Sequence, residues 1–568
     1  MVRHAGGLRS LSIPLVALGV MAVVIALALL AAWVLLRMRK PSTLGAETAR
    51  EGQMGSCRWL AGIAAGLLPL AMTAALLTFE DYQPGCARGL VYACVVVLEA
   101  LLLAAAFPGL RSEATLAMAL IGPAVVWKVA AFVPAISTTP FSMGWSEASR
   151  YYYASLFDSQ AVYGLKTAWP VLHPSRYLLL AVPFFVGDLP IWAHRLWQGL
   201  LWIGMTAAVA GALARRWAGK ISWRFILFSG WAFLFLFQGP VYYHLALGVL
   251  PLLLGFRWDR PWRNLALVVV GSIWAGLSRV NWVPVPGLLA SALLALESPT
   301  GEGRGWSLRD WRWPVIWVTL GSLTAVLAGA VYAQLSGNSL DQFASSFSSD
   351  LLWYRLLPNP TYPLGILPGI AIASLPVALL LLGSARQAVL RDPYRLVLLG
   401  GILTVLLLGG LIVSVKIGGG GDLHNLDAFL LLSLVVGGSL WGRWRAAEGE
   451  GAKPIALRSA LIGLVLAIPA AIAMANGQVL ERPDAAAGQM ALSELRTRLE
   501  SSAGEGPVLF LTQRHLLTFG EIDLPLVEPY EKVQLMEMAM SRNPGYLEQF
   551  RRDLEAHRFA QVVTDSLN

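Results

Sequence analysis

The residues best suited to chemistry form one short polar stretch. Residues 146–156 read SEASRYYYASL, and Glu147 is their only carboxylate. His173-Pro174 follows 26 residues after Glu147 and begins the next apolar segment. A carboxylate can accept the proton of an attacking hydroxyl group, so we predict that Glu147 is a general base. The alternative is an ordinary solvated loop acid paired with Arg150.

Three cations could bind a phosphate group. Arg195 and Arg279 lie amid apolar sequence, and Lys416 follows an apolar run. Charges near membrane depth need partners, and arginine binds phosphate with a bidentate fork whereas lysine acts as a point charge. We therefore predict that these residues bind a phosphate or another part of a substrate. For Arg195 and Arg279, hydrogen bonds to backbone carbonyls are an equally open interpretation.

A glycine-rich segment leads into further polar residues. Gly418–Gly421 permit either a flexible turn or a backbone cradle for phosphate. His424 follows and is predicted to bind substrate, as are His173 and Tyr151. His173 has an alternative role as a side chain that orients its loop. Asp427, three residues after His424, can also favour a helix start through the helix dipole. No residue is assigned as a metal ligand, although a divalent metal remains an open cofactor.

The order of these parts resembles the GT-C superfamily of integral membrane glycosyltransferases. In that family an outer loop carries an acidic pair, a tyrosine and an alanine, and a His-Pro then opens a segment that closes with Phe-Gly and an arginine. The similar parts here are Glu147, Tyr151, Ala154, His173-Pro174, Phe185-Val186-Gly187 and Arg195-Leu196. The resemblance continues through the segments ARRWAG (214–219) and GLSR (276–279) and covers about residues 140–300.

The resemblance implies an activity and a fold. It implies an α-helical membrane enzyme, similar to mannosyl- and arabinosyltransferases, that moves a sugar from a polyprenyl-phosphate donor to an extracytoplasmic glycan, lipid or protein acceptor. Two features depart from the family pattern. Ser146 occupies the first acidic position, which weakens the case for a metal held by two carboxylates. About four apolar spans, rather than one, precede the loop.

Composition independently predicts an integral membrane protein. The 568 residues are 56% hydrophobic and only 14% charged, whereas soluble domains carry about 25% charged residues. The formal charge of +9 could suggest nucleic acid binding. The basic residues instead cluster in short loops between apolar runs, so membrane topology explains them and no nucleic acid partner is expected.

Apolar runs of membrane-spanning length predict an α-helical polytopic protein with about 13–15 hydrophobic helices. Residues 1–135 hold the N-terminal helices, the first at 11–36, and residues 136–176 form an outer catalytic-type loop. Residues 177–476 form the GT-C-like core, with a second outer loop at 336–364. Residues 477–568 are the soluble C-terminal part.

Basic loops predict the sidedness of the chain, because lysine and arginine concentrate on the cytoplasmic side. The basic loops are 37–58, 214–224, 256–263, 297–312, 384–395 and 442–458. That assignment places 136–176, 336–364, 416–423 and the C-terminal part outside, in what the composition suggests is a bacterial plasma membrane. Residues 177–213 can then cross only once, which favours an interfacial or re-entrant segment at 177–191.

The C-terminal part has the pattern of a small α/β module facing outside. Residues 508–512 and 559–564 are predicted strands, and 531–556 is a predicted amphipathic helix. Glu531, Lys532, Arg551 and Arg552 are predicted to form a solvated face.

Two other functions stay open. A transporter or lipid flippase would show two matching halves with broken helices, and no such repeat is visible. Glu99 is the main acidic residue within a span, where ion coupling would require one. A surface-polysaccharide polymerase or ligase of another helical fold would share the lipid-linked donor.

Overall fold

The computed structural model describes most of the chain beyond residue 50. The described ranges are 51–78, 85–239, 241–299, 307–339, 342–343, 350–384, 391–416, 422–447, 456–475, 484–501 and 505–565. The predicted first span, 11–36, and the glycine-rich segment, 418–421, lie outside them. The predicted total of 13–15 hydrophobic helices therefore stays a prediction.

The first half of the described chain is almost entirely helical. Its helices are α1 (Glu51–Thr78), α2 (Gly85–Ala106), α3 (Ser112–Ala130), α4 (Glu147–Ser155), α5 (Ser159–Tyr163), α6 (Pro174–Ala181), α7 (Ile191–Trp217), α8 (Trp223–Leu236), α9 (Tyr243–Gly255), α10 (Pro261–Gly276) and α11 (Val285–Glu297).

The second half continues the bundle and adds a small sheet. Its elements are α12 (Arg312–Leu335), α13 (Ile366–Gly383), α14 (Pro393–Val415), α15 (Asp427–Ala447), α16 (Ala456–Ala475), α17 (Ala485–Ser501), β1 (Val508–Phe510), α18 (His515–Thr518), α19 (Lys532–Met540), α20 (Pro544–Glu555) and β2 (Gln561–Val563).

Nine helical segments among the described residues are long and apolar enough to cross a membrane, and three shorter apolar helices accompany them. The α15 segment is the most enclosed: 94% of its apolar 18-residue stretch is buried inside the bundle. In the segment that contains α12, only 17% of the corresponding stretch is buried. A helix with an apolar surface exposed on the outside of the bundle suits contact with lipid.

Close backbone approaches hold the four helices α9, α10, α11 and α12 together. A Cβ atom added to Gly276 would lie 2.0 Å from the carbonyl oxygen of Ala325, and one added to Gly271 would lie 2.4 Å from that of Gly248. A Cβ atom added to Gly287 would likewise lie 2.6 Å from the carbonyl oxygen of Trp317. Membrane helices associate through such small-residue contacts because lipid gives no hydrophobic drive for apolar helices to pair.

The loops collect at two ends of the bundle, as the charge pattern predicts. At one end the Trp169 amide donates to the carbonyl oxygen of Ser336 at 2.8 Å, and Arg279 donates to the carbonyl of His424. At the other end Arg216 donates to the carbonyl of Leu253 at 2.7 Å. We call the first the loop end, and the second, where the described parts of the basic loops lie, the basic end.

The segment 177–191 does not cross the bundle as a helix. Helix α6 has eight residues, which rise about 12 Å and cannot traverse a bilayer core of about 30 Å. Pro183 and Pro190 lie in the turn that follows, and α7 then provides the single crossing. A single crossing between them is consistent with the predicted placement of loops 136–176 and 214–224 on opposite sides of the membrane.

The C-terminal residues form a two-stranded parallel sheet with helices around it. Val508 pairs with Gln561 and Phe510 with Val563. The prediction of one helix over 531–556 is wrong: α19 and α20 are separate. Pro544 cannot continue a hydrogen-bonded helix, and Arg542 has a positive φ of 53° at the break. The extracytoplasmic placement of this part stays a prediction.

Candidate functional site

Glu147 opens helix α4 as half of a buried ion pair. Its Oε1 lies 3.0 Å from Nε of Arg195, and its Oε2 lies 3.2 Å from Nη2. Glu147 is 6% exposed and Arg195 is 3% exposed. Burial acts to raise the pKa of Glu147, but the hydrogen bond and charge of Arg195 hold that pKa below its ordinary value. Its closest partner is therefore Arg195, not Arg150.

Arg195 also organises the backbone before α4. Its Nη1 donates to the carbonyl oxygens of Ser137 and Thr139 at 2.6 and 2.8 Å, and its Nη2 donates to that of Phe141 at 3.0 Å. With Glu147, these contacts engage all five N–H donors of the guanidinium group. A phosphate contact by Arg195 would require some of these bonds to break.

Tyr151 points from α4 into an aromatic cluster. Its ring centroid lies 5.9 Å from that of His194 and 5.8 Å from that of Phe519. His194 also lies 4.2 Å from Phe184. Burial, and then the charge of Glu147, raise the pKa of Tyr151. The phenol is thus a neutral packing group between α4, α7 and the C-terminal part.

A second polar group surrounds Tyr242 at the loop end. The Cζ atom of Arg279 lies 4.6 Å from the Tyr242 ring centroid, and that of Arg176 lies 5.0 Å from it. Nη1 of Arg279 also donates to Oδ1 of Asn425 at 2.9 Å. We call Arg176, Tyr242 and Arg279 the arginine–tyrosine group. Each cation–ring contact contributes about 0.5–2 kcal/mol.

The arginine–tyrosine group carries positive charge without a close counter-charge. Among the described residues, no carboxylate forms an ion pair with either guanidinium. Asp422 and Asp427 act on Arg279 only at longer range. Arg176 is 9% exposed, and its Nε has no hydrogen-bond acceptor in the described chain. A buried cation in this state favours an anionic ligand.

His173 lies beside this group. The adjoining Ser175 amide donates to the carbonyl oxygen of Leu277 at 2.8 Å, which fixes the segment against the residues preceding Arg279. Burial, followed by the charges of Arg279 and Arg176, lowers the pKa of His173 well below its ordinary value. His173 is therefore a neutral side chain at pH 7.

His424 lies next to the arginine–tyrosine group. Its ring lies 5.5 Å from that of Tyr242 in an edge-on arrangement. Nδ1 of His424 is hydrogen-bonded to Oδ1 of Asp422, which also accepts the His424 backbone N–H at 3.0 Å. Burial acts to raise the pKa of Asp422, but the His424 hydrogen bond brings it below its ordinary value. The ionised Asp422 selects the tautomer of His424 that leaves Nε2 as an acceptor.

Asp427 has a separate position in the core. Its Oδ1 accepts the indole N–H of Trp282 at 2.9 Å and the backbone N–H of Ala428 at 2.7 Å. Asp427 thus lies in the first turn of α15, as its predicted role at a helix start requires. The described residues contain no group of three His, Cys, Asp or Glu side chains arranged for a metal ion.

Lys416 lies at the edge of the loop end. Its backbone forms a bridge with Leu351, and its carbonyl accepts a hydrogen bond from Nη1 of Arg355 at 2.9 Å. These contacts tie the end of α14 to the loop 336–364. The half-buried Lys416 side chain is thus beside that loop.

Two polar groups result, joined by a tyrosine cluster. Tyr152, Tyr153, Tyr177 and Tyr243 pack in one buried cluster between α4, α6 and α9. Glu147, Arg195 and Tyr151 belong to the first group, whereas His173, Arg279 and His424 belong to the second. Arg176 was not among the predicted site residues. Its spacing of three from His173, which brings it to the same side of α6, was the available signal.

The C-terminal part is clamped onto α4. Oε1 of Glu531 accepts the hydroxyl of Ser149 at 2.6 Å, and Oε2 accepts that of Tyr153. Arg514 donates to the Tyr152 hydroxyl at 2.8 Å. Glu531 is 1% exposed, so the prediction of a solvated position is wrong. The burial of Glu531 could not be predicted from local sequence, because its partners on α4 lie almost 400 residues earlier in the chain.

The fold defines the class of the protein: it is an α-helical polytopic membrane protein. No protein-family model matches its sequence. No curated protein matches it significantly either.

Proposed function

We propose that the chain is a membrane glycosyltransferase that uses a polyprenyl-phosphate sugar donor, with the donor phosphate bound by the arginine–tyrosine group. The observation that carries the proposal is the pair of guanidinium groups on the Tyr242 ring, which no described carboxylate neutralises. A lipid-linked donor needs a phosphate site where membrane helices meet polar loops. Arg176 and Arg279 occupy such a location.

The charge of this group suits the reaction. As the sugar is transferred, negative charge develops on the phosphate that leaves with the lipid. Fixed guanidinium donors stabilise that charge, and removal of one such donor typically slows a reaction about 100- to 1000-fold. Asn425 and Tyr242 fix the position of Arg279 before any ligand binds. This preorganisation favours phosphate binding without rearrangement.

The geometry favours His424 as general base over Glu147. Both carboxylate oxygens of Glu147 are bonded to Arg195, and Oε2 also accepts the Met143 amide at 2.6 Å. In His424, Nδ1 is bonded to Asp422, and no hydrogen bond joins Nε2 to another residue in the described part of the chain. In the proposed reaction Nε2 accepts the acceptor's hydroxyl proton, that oxygen bonds to the sugar, and the sugar–phosphate bond breaks. Glu147 then holds the loop, and its role as base stays a prediction.

The test is sugar transfer by the full chain in proteoliposomes. Labelled polyprenyl-phosphate hexoses and pentoses serve as donors, and the native membrane extract supplies acceptors. Arg279→Gln and Arg176→Gln should each slow transfer about 100-fold or more. Arg542→Gln is the matched control, because Arg542 is exposed and paired with Asp350. Unchanged transfer by the Arg176/Arg279 double variant would overturn the phosphate assignment.

His424→Gln separates the two base assignments. It keeps a polar side chain but removes the basic nitrogen, so transfer should fall while donor binding persists. Retained transfer in this variant, with loss in a stably folded Glu147→Gln protein, would return the role to Glu147.

A transporter is the second candidate, and one observation favours it. Glu99 lies within α2, is 6% exposed, and its Oε2 has no hydrogen-bond partner among the described residues. Buried acids within a span commonly serve ion coupling. Substrate uptake into vesicles that Glu99→Gln abolishes would favour transport, whereas transfer unaffected by Glu99→Gln agrees with the enzyme.

A further inference from the structure

The segment that follows Arg176 has the composition of a membrane segment without the geometry of a span. Helix α6 is too short to cross a bilayer, and the turn after it leads into α7. Gly187 has a φ of 138°, which a residue with a side chain rarely adopts, and so permits this turn. Asp188 is the only charged residue between Arg176 and His194. The remaining residues of the segment need apolar surroundings.

One side of this segment packs into the protein. Tyr177, Leu180 and Ala181 belong to the buried tyrosine cluster, and Phe184 packs against that cluster. The indole N–H of Trp197, on α7, donates to the carbonyl oxygen of Leu179 at 2.8 Å. These contacts fix α6 against α7, so the fold determines which residues of the segment point away from the protein.

The opposite side of the segment exposes large apolar residues. Val186 is the most exposed of them, at 72%. We call this side the outward face, and its residues are Leu178, Val182, Phe185, Val186, Leu189 and Trp192. Single exposed apolar residues are ordinary on a protein, but a dense group of them marks a surface that contacts another molecule or a membrane.

The length of α7 gives the depth of the outward face in the bilayer. Helix α7 begins at the loop end and has Arg215 and Arg216 in its last turn, at the basic end. Trp192 lies 23 positions before Arg215. That length of helix rises about 35 Å, whereas the bilayer core is about 30 Å thick. Trp192 therefore lies near the loop-end boundary of the core, where tryptophan is enriched.

The outward face continues onto the side of α7 that is turned away from the protein. Trp192, Leu196 and Leu200 follow one another at intervals of four residues, which places them on one side of the helix. Leu200 is exposed and lies about 12 Å deeper than Trp192. Because α7 is long and apolar enough to span the membrane, its exposed side at this depth meets lipid chains. The same chains can cover the outward face without a gap.

We propose that the outward face inserts among the lipid chains of the leaflet at the loop end, just below the headgroups. Asp188 is exposed within the turn and faces the headgroups and water. Insertion places Arg176, two residues before Leu178, at the depth of the lipid phosphates. The lipid contact follows from exposure and depth alone, so it does not depend on the proposed transfer reaction.

The test is fluorescence quenching in proteoliposomes that contain the full-length chain. A variant without Cys57, Cys86 and Cys94 receives a single cysteine, by Val186→Cys or by Phe185→Cys, and a fluorophore is attached to it. Phospholipids that carry a doxyl group near the headgroup should quench both labels several-fold more than iodide present on both sides of the membrane. Because two positions are labelled, one variant that fails to fold leaves the other to decide.

Matched positions give the scale of quenching. A label at Leu200→Cys should be quenched best by a doxyl group deeper in the lipid chain, and one at Ser493→Cys, exposed on α17, by iodide. Iodide quenching at Val186 equal to that at Ser493 would place the outward face in water and overturn the proposal. Protection from both quenchers would show that protein covers the face, either a second copy or another segment of this chain, and would overturn it as well.

Discussion

At the scale of single residues, the Glu147–Arg195 pair shows how burial changes the meaning of a motif. A carboxylate in a polar loop was a good candidate base from sequence. Inside the fold, the same carboxylate neutralises an arginine that holds three backbone carbonyls. Which arginine a loop carboxylate meets depends on tertiary packing, and Arg195 is 48 residues away. Local sequence could not supply that partner.

Glu147→Gln is expected to destabilise the protein, because it leaves Arg195 charged and buried without its counter-charge. Loss of one partner of a buried pair typically costs about 3–5 kcal/mol. Thermal unfolding in detergent measures the effect, with Glu548→Gln as an exposed-acid control. A variant that unfolds like the native protein and yet lacks activity would instead mark Glu147 as a reacting group.

His515 predicts a pH dependence of stability. It is 0% exposed, and burial lowers its pKa to about 4 from an ordinary value of 6.5. The unfolded chain binds this proton more readily, so the histidine's contribution to stability is complete above pH 6.5 and declines as the pH falls towards 4.

His515→Gln should therefore flatten the loss of stability between pH 6.5 and 4. Melting temperatures in that range, compared with those of the exposed-site variant His557→Gln, provide the measurement. The same slope in native and His515→Gln proteins would contradict the assignment.

At the scale of elements, the clamp on α4 joins parts of the chain that sequence patterns treat as unrelated. Glu531 also caps α19 by accepting the Val533 amide at 2.9 Å. Its carboxylate thus serves a helix start and two hydroxyls of another helix. The strand positions and the presence of a nearby helix were predictable from local patterns. The interface was not, because every contact in it is tertiary.

Glu531→Ala should loosen the C-terminal part from α4. The Tyr153 and Ser149 hydroxyls would remain buried without an acceptor, at about 1–3 kcal/mol for each group. Hydrogen exchange of residues 147–155 should rise, whereas Arg551→Ala, on the exposed face of α20, should leave it unchanged. Equal protection in both variants would show that the clamp contributes nothing to α4.

Gly276→Ala should separate α10 from α12. The new methyl group meets the Ala325 carbonyl at 2.0 Å, which only a backbone shift can relieve. Overpacking of this kind typically costs about 1–3 kcal/mol. Gly400→Ala is the control, because nothing lies within 4 Å of its added Cβ atom. Melting temperature distinguishes them, and comparable stability of the two variants would refute the close contact.

At the scale of the whole molecule, simple patterns predicted much. Hydropathy gave most spans, and the distribution of arginine and lysine separated the loops into the two sets found at the two ends. The convergence of Arg176, Arg279 and His424 could not be read from either pattern. These residues come from α6, the α10–α11 connection and the turn just before α15, and only the order of packed helices brings them together.

Sidedness itself is open to a labelling experiment. We expect a cysteine at Ser493, on exposed α17, to react with a membrane-impermeant maleimide in intact cells, and one at Lys220 to react only after lysis. The parent for both is a variant without Cys57, Cys86 and Cys94. The reverse pattern would place the loop end in the cytoplasm and exclude an extracytoplasmic donor site.

The clamp also sets an order of events during synthesis. Ser149 and Glu531 are 382 residues apart. At roughly 5–20 residues per second, a ribosome needs on the order of 20–75 s to travel between them. During that interval the nascent α4 has its hydroxyls but lacks their acceptor. The loop can reach its final arrangement only after the intervening helices have been synthesised, so the contact between α4 and the C-terminal part forms late.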